Sequence, residues 1–234
     1  MNIGDISTKI TNLTNQDTTS YTNAQRLVDI NIWYRNVQQR ILKSQDDWDF
    51  DDLNNLVNFP IYKANLTANQ QDYTLPSGLL QIKRLEVSFD GTNYYKADDF
   101  DIGTRNRSVA TNNLNDFTTS SPYYDLQGGS LFLYPIPTAN VTNGLKIWGT
   151  RAVTDFTAND LTAGTASPGF DSLFHDIIAY GAAFEFTLSK DLAKAKSLKI
   201  ILDEKLAMLE NYYGKKAKDM VLSFNPFNSN NSYK

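Results

Sequence analysis

Five carboxylates crowd seven positions at Asp46, Asp47, Asp49, Asp51 and Asp52, with Trp48 and Phe50 set among them. That density could hold a divalent cation. A calcium loop of the EF-hand kind, however, needs a central glycine and a terminal glutamate, and this stretch has neither. The alternative is that the two aromatics plug the base of a helical bundle while the aspartates stay in water. His175 is the single histidine, and Asp176 follows it at once. Adjacent residues on a helix point about 100° apart, so the two do not make an acid–base pair through their spacing. The absence of cysteine excludes disulfides, zinc–thiolate sites and thiol nucleophiles. No glycine-rich loop precedes a helix to cradle phosphate, since Gly128-Gly129 falls in a hairpin turn, and there is no Gly-x-Ser-x-Gly elbow. A pair of carboxylates that cleaves glycosides is defined by separation in space and cannot be read from order alone. Tyr94, Tyr95, Tyr123, Tyr124 and Trp148 could form a sugar-stacking platform, although aromatics in antiparallel sheets commonly serve as cross-strand packing pairs. The expectation is a non-enzymatic chain with no catalytic residue, no cofactor and no metal.

The elements that would carry these residues form a bracket. Ile3, Ile6, Ile10 and Leu13, then Leu27, Ile30, Tyr34, Val37 and Ile41, recur at helical spacing near the start. Phe170, Leu173, Phe174, Ile177, Ile178, Phe184 and Leu188, then Leu198, Leu202, Leu206, Leu209 and Tyr213, do the same near the end. Each stripe must be buried, and one bundle built from both ends of the chain buries all four. Helices are expected over 2–14 and from Thr22 or Asn23 to about Ser44. A third should start near Pro168 or Asp171, and a fourth should end at Gly214 as its C-cap. Gly181-Ala182-Ala183 marks a close helix approach.

Strand signals fill the interval. Residues 59–66 include Pro60, which suits an edge. Tyr73 to Pro76 leads into 79–89, where Ile82, Leu85, Val87 and Phe89 nearly alternate, with Leu85 out of step. Asp90-Gly91 predicts a hairpin returning through Tyr94-Tyr95, and Gly128-Gly129 predicts a second hairpin joining 123–126 to 131–134. Residues 145–151 supply a last strand. The fold class is therefore α+β: N- and C-terminal helices in one bundle, with an inserted antiparallel β domain. The bundle is assigned to 1–48 and 168–218, and the β domain to 56–152 with a long loop at 98–121. A loop at 153–167 and an extended C-terminal arm at 219–234 complete the division.

The chain has 234 residues, 41% hydrophobic and 12% aromatic, enough for a sizeable core, with a net charge of −4. A mildly acidic chain is a poor sequence-independent grip on nucleic acid, which needs clustered cations. Residues 1–10 lack the basic and apolar regions of a secretory signal, and no apolar run is long enough for a bilayer. The Asn-x-Ser/Thr sequons at Asn12 and Asn65 are then read as products of an asparagine- and threonine-rich composition.

The string from Tyr73-Thr74-Leu75-Pro76-Ser77-Gly78 through Leu79-Leu80-Gln81-Ile82-Lys83-Arg84-Leu85 resembles a recurrent segment of phage head-to-tail adaptor proteins. So does Ser121-Pro122-Tyr123-Tyr124-Asp125-Leu126 followed by Leu131-Phe132-Leu133-Tyr134-Pro135-Ile136-Pro137. The likeness covers about residues 2–215, flanks included, and is closest to the neck or tubular tail adaptors of short-tailed phages. It implies a ring, usually dodecameric, beneath the portal protein, joining it to a downstream tail or nozzle protein. Double-stranded DNA would pass through the lumen without sequence-specific binding. The location implied is the virion neck, after assembly in the host cytoplasm, with no membrane involved. Partner contacts would fall on Met220, Val221, Leu222, Phe224 and Phe227 of the arm, and on the two loops, the first of which carries Arg105 and Arg107. The alternative is a tail or baseplate accessory protein whose β domain binds carbohydrate or a host surface.

Overall fold

Asn2 and Thr22 begin the two leading helices, each through a reciprocal cap. In the computed structural model of the chain, Asn2 accepts from the Asp5 amide while the Asp5 carboxylate accepts from the Asn2 amide. Thr22 and Gln25 repeat the arrangement. The structure describes residues 1–45, 61–100 and 117–219. Helix α1 spans Ile3–Thr14 and α2 spans Asn23–Ser44. Strands follow as β1 (Tyr62–Leu66), β2 (Asp72–Thr74), β3 (Leu79–Val87), β4 (Tyr95–Lys96), β5 (Asp98–Asp99), β6 (Tyr123–Gln127), β7 (Ser130–Tyr134) and β8 (Val141–Arg151). The chain closes with α3 (Ala158–Ala163), a 3-10 turn (Ser172–Phe174), α4 (Asp176–Leu188) and α5 (Leu192–Asp219). The fold is α+β, and contacts divide it into two compact units, residues 1–48 with 154–234 and residues 49–153.

In the helical unit, α4 and α5 form an antiparallel hairpin across the Ser189–Asp191 break. The Tyr213 hydroxyl near the end of α5 accepts from the Asp171 amide ahead of α4. Helix α2 runs antiparallel to α4. Tyr21 stacks on Phe186 at one end, and the Tyr34 hydroxyl accepts from the Gly169 amide at the other. It follows that α2 and α5 point the same way, and an ion pair between Arg40 and Glu210 joins their C-terminal halves. The core holds Ile3, Ile6, Ile10, Ile30, Val37, Ile41, Ile177, Ile178, Leu202 and Leu209, all of them buried. Gly181 of α4 packs against the Trp33 ring of α2. A Cβ built there would lie 2.0 Å from the Trp33 indole, so no larger residue fits.

The second unit stacks two four-stranded sheets, in the orders β1-β8-β3-β4 and β2-β7-β6-β5. Leu66, Leu85, Val87, Leu145 and Ile147 from one sheet meet Tyr73, Leu131 and Leu133 from the other in a common core. Gly128 and Gly129 form the two-residue turn between β6 and β7. Both have positive φ, at 58° and 86°, as a primed hairpin turn requires.

Several expectations need correction. The 153–167 loop contains helix α3, started by a Thr157–Asp160 capping box and ended at Gly164. Its six residues bury no side chain, so no apolar stripe announced it. Asp98 and Asp99, assigned to the long loop, pair with Tyr123 and Tyr124 as a parallel ladder. A connection of over twenty residues leaves room for the crossover that parallel pairing needs, which short turns do not. The Asp90-Gly91 turn is longer than a tight hairpin, with seven residues between β3 and β4. Asp90 organises it by accepting from the Thr92 and Asn93 amides. Helix α4 begins at Asp176, because Asp171 caps only the 3-10 turn, and this leaves Leu173 73% exposed rather than on the buried stripe. Gly214 keeps helical geometry inside α5 and is not its C-cap. The acidic stretch at 46–52, the start of the first predicted strand and most of the 98–121 loop lie outside the described residues.

Candidate functional site

His175 occupies the N-cap position of α4 and is 3% exposed. Its Nε2 lies 2.7 Å from the Phe170 carbonyl oxygen and its Nδ1 2.6 Å from the Met1 carbonyl oxygen. Both ring nitrogens are taken up by the main chain, and Phe170 packs edge-on against the ring. This histidine fastens the start of α1 to the start of α4. A general base would instead have to present a nitrogen to solvent or substrate.

Asp176 points elsewhere. Its Oδ2 accepts from Lys9 of α1 at 3.1 Å and from Lys205 of α5 at 2.7 Å. The Tyr180 ring, one turn on, lies under both ammonium groups. Burial alone would raise the carboxyl, but the hydrogen bonds and charges of Lys205 and Lys9 outweigh it and hold Asp176 below the ordinary value. The cluster links three helices and uses the charge of Asp176 for that purpose. Among the described residues, no group of three or more acidic or imidazole side chains converges as a metal site would require.

The helical unit also carries an open hollow at the corner where α2 begins and α4 ends. It has a volume of about 310 Å³ and is lined by Tyr21, Gln25, Val28, Asp29 and Phe186. Its floor is the stacked Tyr21–Phe186 pair, with ring centroids 4.0 Å apart. The Tyr21 hydroxyl donates to Asp29. Burial raises the Asp29 carboxyl despite that bond, and burial together with the Asp29 contact pushes the Tyr21 hydroxyl well above its usual range. Behind the floor Arg26 is 2% exposed, bonded to the Thr11 hydroxyl and the Gln16 carbonyl. Sequence reading placed Leu27 on the buried stripe and passed over Arg26, Val28 and Asp29. The only available signal was a charged residue on each side of an apolar pair.

The aromatics of the β unit divide between packing and surface. Tyr123 packs with Phe100, Phe117 and Tyr134 in a small aromatic cluster, and Tyr124 lies against the main sandwich core. The Lys146 ammonium lies 3.3 Å above the Tyr94 ring, whose hydroxyl donates to the Asn143 carbonyl. Tyr95 is 39% exposed. The aromatics anticipated as one platform are thus spread over several environments. The residues predicted to meet partners, Met220, Val221, Leu222, Phe224, Phe227, Arg105 and Arg107, all lie outside the described residues. Among the described residues, no helix is long and apolar enough to cross a membrane.

A search of curated proteins finds no match to the chain. The sequence model of the SU10 adaptor protein family matches residues 1–218, a span that takes in both units. That span agrees with the resemblance to phage head-to-tail adaptors carried by the 73–85 and 121–137 strings. By that match, the chain belongs to the SU10 adaptor protein family of phage structural adaptors.

Proposed function

We propose that the protein forms a ring beneath the portal, joins the capsid to the next tail component and surrounds the channel through which DNA leaves. The observation that carries this reading is the family match over residues 1–218, which includes both the helical unit and the β unit. A connector needs a rigid frame, side surfaces that meet neighbouring copies, and segments that reach the layers above and below. The four long helices supply the frame. The arm at 219–234 would supply the reach toward the portal or an adjacent subunit, with Met220, Val221, Leu222, Phe224 and Phe227 as anchors. Aromatic anchors that fill a pocket can contribute about 2 kcal/mol or more each. The 98–121 loop, with Arg105 and Arg107, and the 153–167 segment would face the downstream tail protein. A net charge of −4 suits a lumen that lets double-stranded DNA slide, since a basic lumen would hold it by counterion release. The site of action is then the virion neck, after assembly in the host cytoplasm.

The test is electron microscopy of the purified chain mixed with its cognate portal. A new ring layer on one face of the portal is the expected result and also gives the stoichiometry. Bare portals, with the chain free well above micromolar concentration, would overturn the reading. Deleting residues 220–234 should leave the helical unit folded and weaken the attachment. Unchanged attachment would remove the arm from the account.

A further inference from the structure

The hollow at Asp29 has a counterpart on the opposite kind of surface in the same unit. Along the first turns of α5, Leu192, Lys196 and Ile200 fall on one row at four-residue spacing. Leu192 and Ile200 are 58% and 63% exposed. Lys196 between them is exposed and has no ion-pair partner among the described residues. The stretch from Leu192 to Lys199 carries three lysines and no acidic residue. Its buried side is Ala195, Leu198 and Leu202, so the Lys196 row points away from the bundle.

The hollow has the reverse character. Asp29 forms its polar wall, Val28 stands 57% exposed on its rim, and Asp17 and Glu185 add negative charge nearby. Two cations lie close by: Arg26 is buried behind the floor, 5.2 Å from the Tyr21 ring, and the Lys190 ammonium is placed 4.1 Å over the Phe186 ring. The Lys190 contact shows how the aromatic floor receives a cation. The buried side of α2 is Ile30, Trp33, Val37 and Ile41, so Val28 also faces outward, on a different helix from Lys196.

Because α2 and α5 run the same way, the first turns of both lie at one end of the bundle, beside the end of α4. A lysine flanked by two apolar side chains therefore sits at the same level as an acidic, aromatic-floored hollow with an apolar rim. Two different patches that match each other, at equal height on one subunit, make a head-to-tail contact that repeats around an axis. We propose that the Leu192–Lys196–Ile200 row of one copy seats in the Asp29 hollow of the next copy and forms the lateral joint of the ring. The inference rests on the ring reading and names its interface. Lys196 supplies the charge that fixes the register, while Leu192 and Ile200 cover Val28 and the Phe186 edge.

The absence of cysteine from the chain makes a cross-linking test clean. The full-length variant carrying both Val28→Cys and Leu192→Cys is assembled on its portal, imaged, and treated with a short bis-maleimide. A covalent ladder of dimers, trimers and higher species is expected, with no ladder from either single variant. Dimers alone from Val28→Cys would mean a two-fold contact and overturn the head-to-tail joint. Rings seen in images but giving no ladder would overturn the interface and leave the ring standing. No ring with any variant or with the native chain would remove the ring reading and this joint together. Lys196→Glu, on a surface outside the core, should lower ring occupancy at least tenfold, and Asp29→Lys in the same chain should restore it. Undiminished rings with Lys196→Glu would also overturn the joint.

Discussion

The side chain of Asn31 pairs with the main chain of Phe156 as a strand would. Its Nδ2 donates to the Phe156 carbonyl at 2.9 Å, and its Oδ1 accepts from the Phe156 amide at 2.9 Å. Both bonds are buried, and they join α2 to a segment 125 residues away. Beside them the Phe156 ring stacks on Tyr34, and Arg35 pairs with Asp155. The connection between β8 and α3 is thus fastened to the middle of α2.

Replacing Asn31 with alanine leaves a buried amide and a buried carbonyl without partners. At about 1–3 kcal/mol for each unsatisfied group, the expected loss is about 2–6 kcal/mol. Asn31→Asp should also be costly, because a carboxylate can accept from the amide but repels the carbonyl. Urea unfolding followed by circular dichroism measures both. A change in Asn31→Ala below about 0.5 kcal/mol would mean that water replaces the side chain and that the clamp contributes little.

Gly181 tests the tight packing of α4 on Trp33 of α2. With a Cβ only 2.0 Å from the Trp33 ring, Gly181→Ala must displace the indole or part α2 from α4. Overpacking of a tight core costs about 1–3 kcal/mol, and here the obstacle is a rigid ring, while Ala182 and Ala183 next to Gly181 in the chain are themselves buried. A loss of about 3 kcal/mol is expected, with a changed near-ultraviolet signal from Trp33. The same substitution at Gly214, where nothing lies within 4 Å of the added carbon, should stabilise α5 slightly. Equal effects at the two sites would show that helix propensity, not packing, governs both.

How far the sequence announced this arrangement depended on whether a signal was local. The helical stripes and the Gly128-Gly129 hairpin were legible because periodicity and turn chemistry act over a few residues. Leu85 looked out of step in its strand, and the structure gives the cause: the β3–β8 register shifts between Ile82 and Arg84. An irregularity there turns Leu85 back to the core side, so the broken alternation was itself the signal of a bulge. Asn31 could not be read in this way. A polar residue in mid-helix looks solvated until its partner is brought to it by the fold. The Asn31 clamp and the Asn31–Phe156 pairing are consequences of topology. Val28 and Asp29 were passed over for a similar reason, since a hollow forms only when Tyr21 and Phe186 meet.

Asp176 predicts a pH dependence. Its carboxyl titrates below the ordinary value of 3.8 in the folded chain, since the Lys205 and Lys9 contacts outweigh burial. Between the folded value and about pH 5, the unfolded chain therefore binds more protons, and stability falls as acid is added. The contribution of the cluster should be complete at neutral pH and drain away as the pH drops through the folded value. Asp176→Asn removes the charge and leaves Lys9 and Lys205 facing each other over Tyr180. Hydrogen bonds to charged groups contribute about 1.5–3 kcal/mol, so a loss of roughly that size is expected at pH 7. The variant should also show a shallower decline than the native chain between about pH 5 and pH 3, because its group 176 no longer titrates. Urea midpoints collected across that range decide the matter. Parallel curves offset by a constant would mean that Asp176 acts through shape and hydrogen bonding alone, with no contribution from its charge.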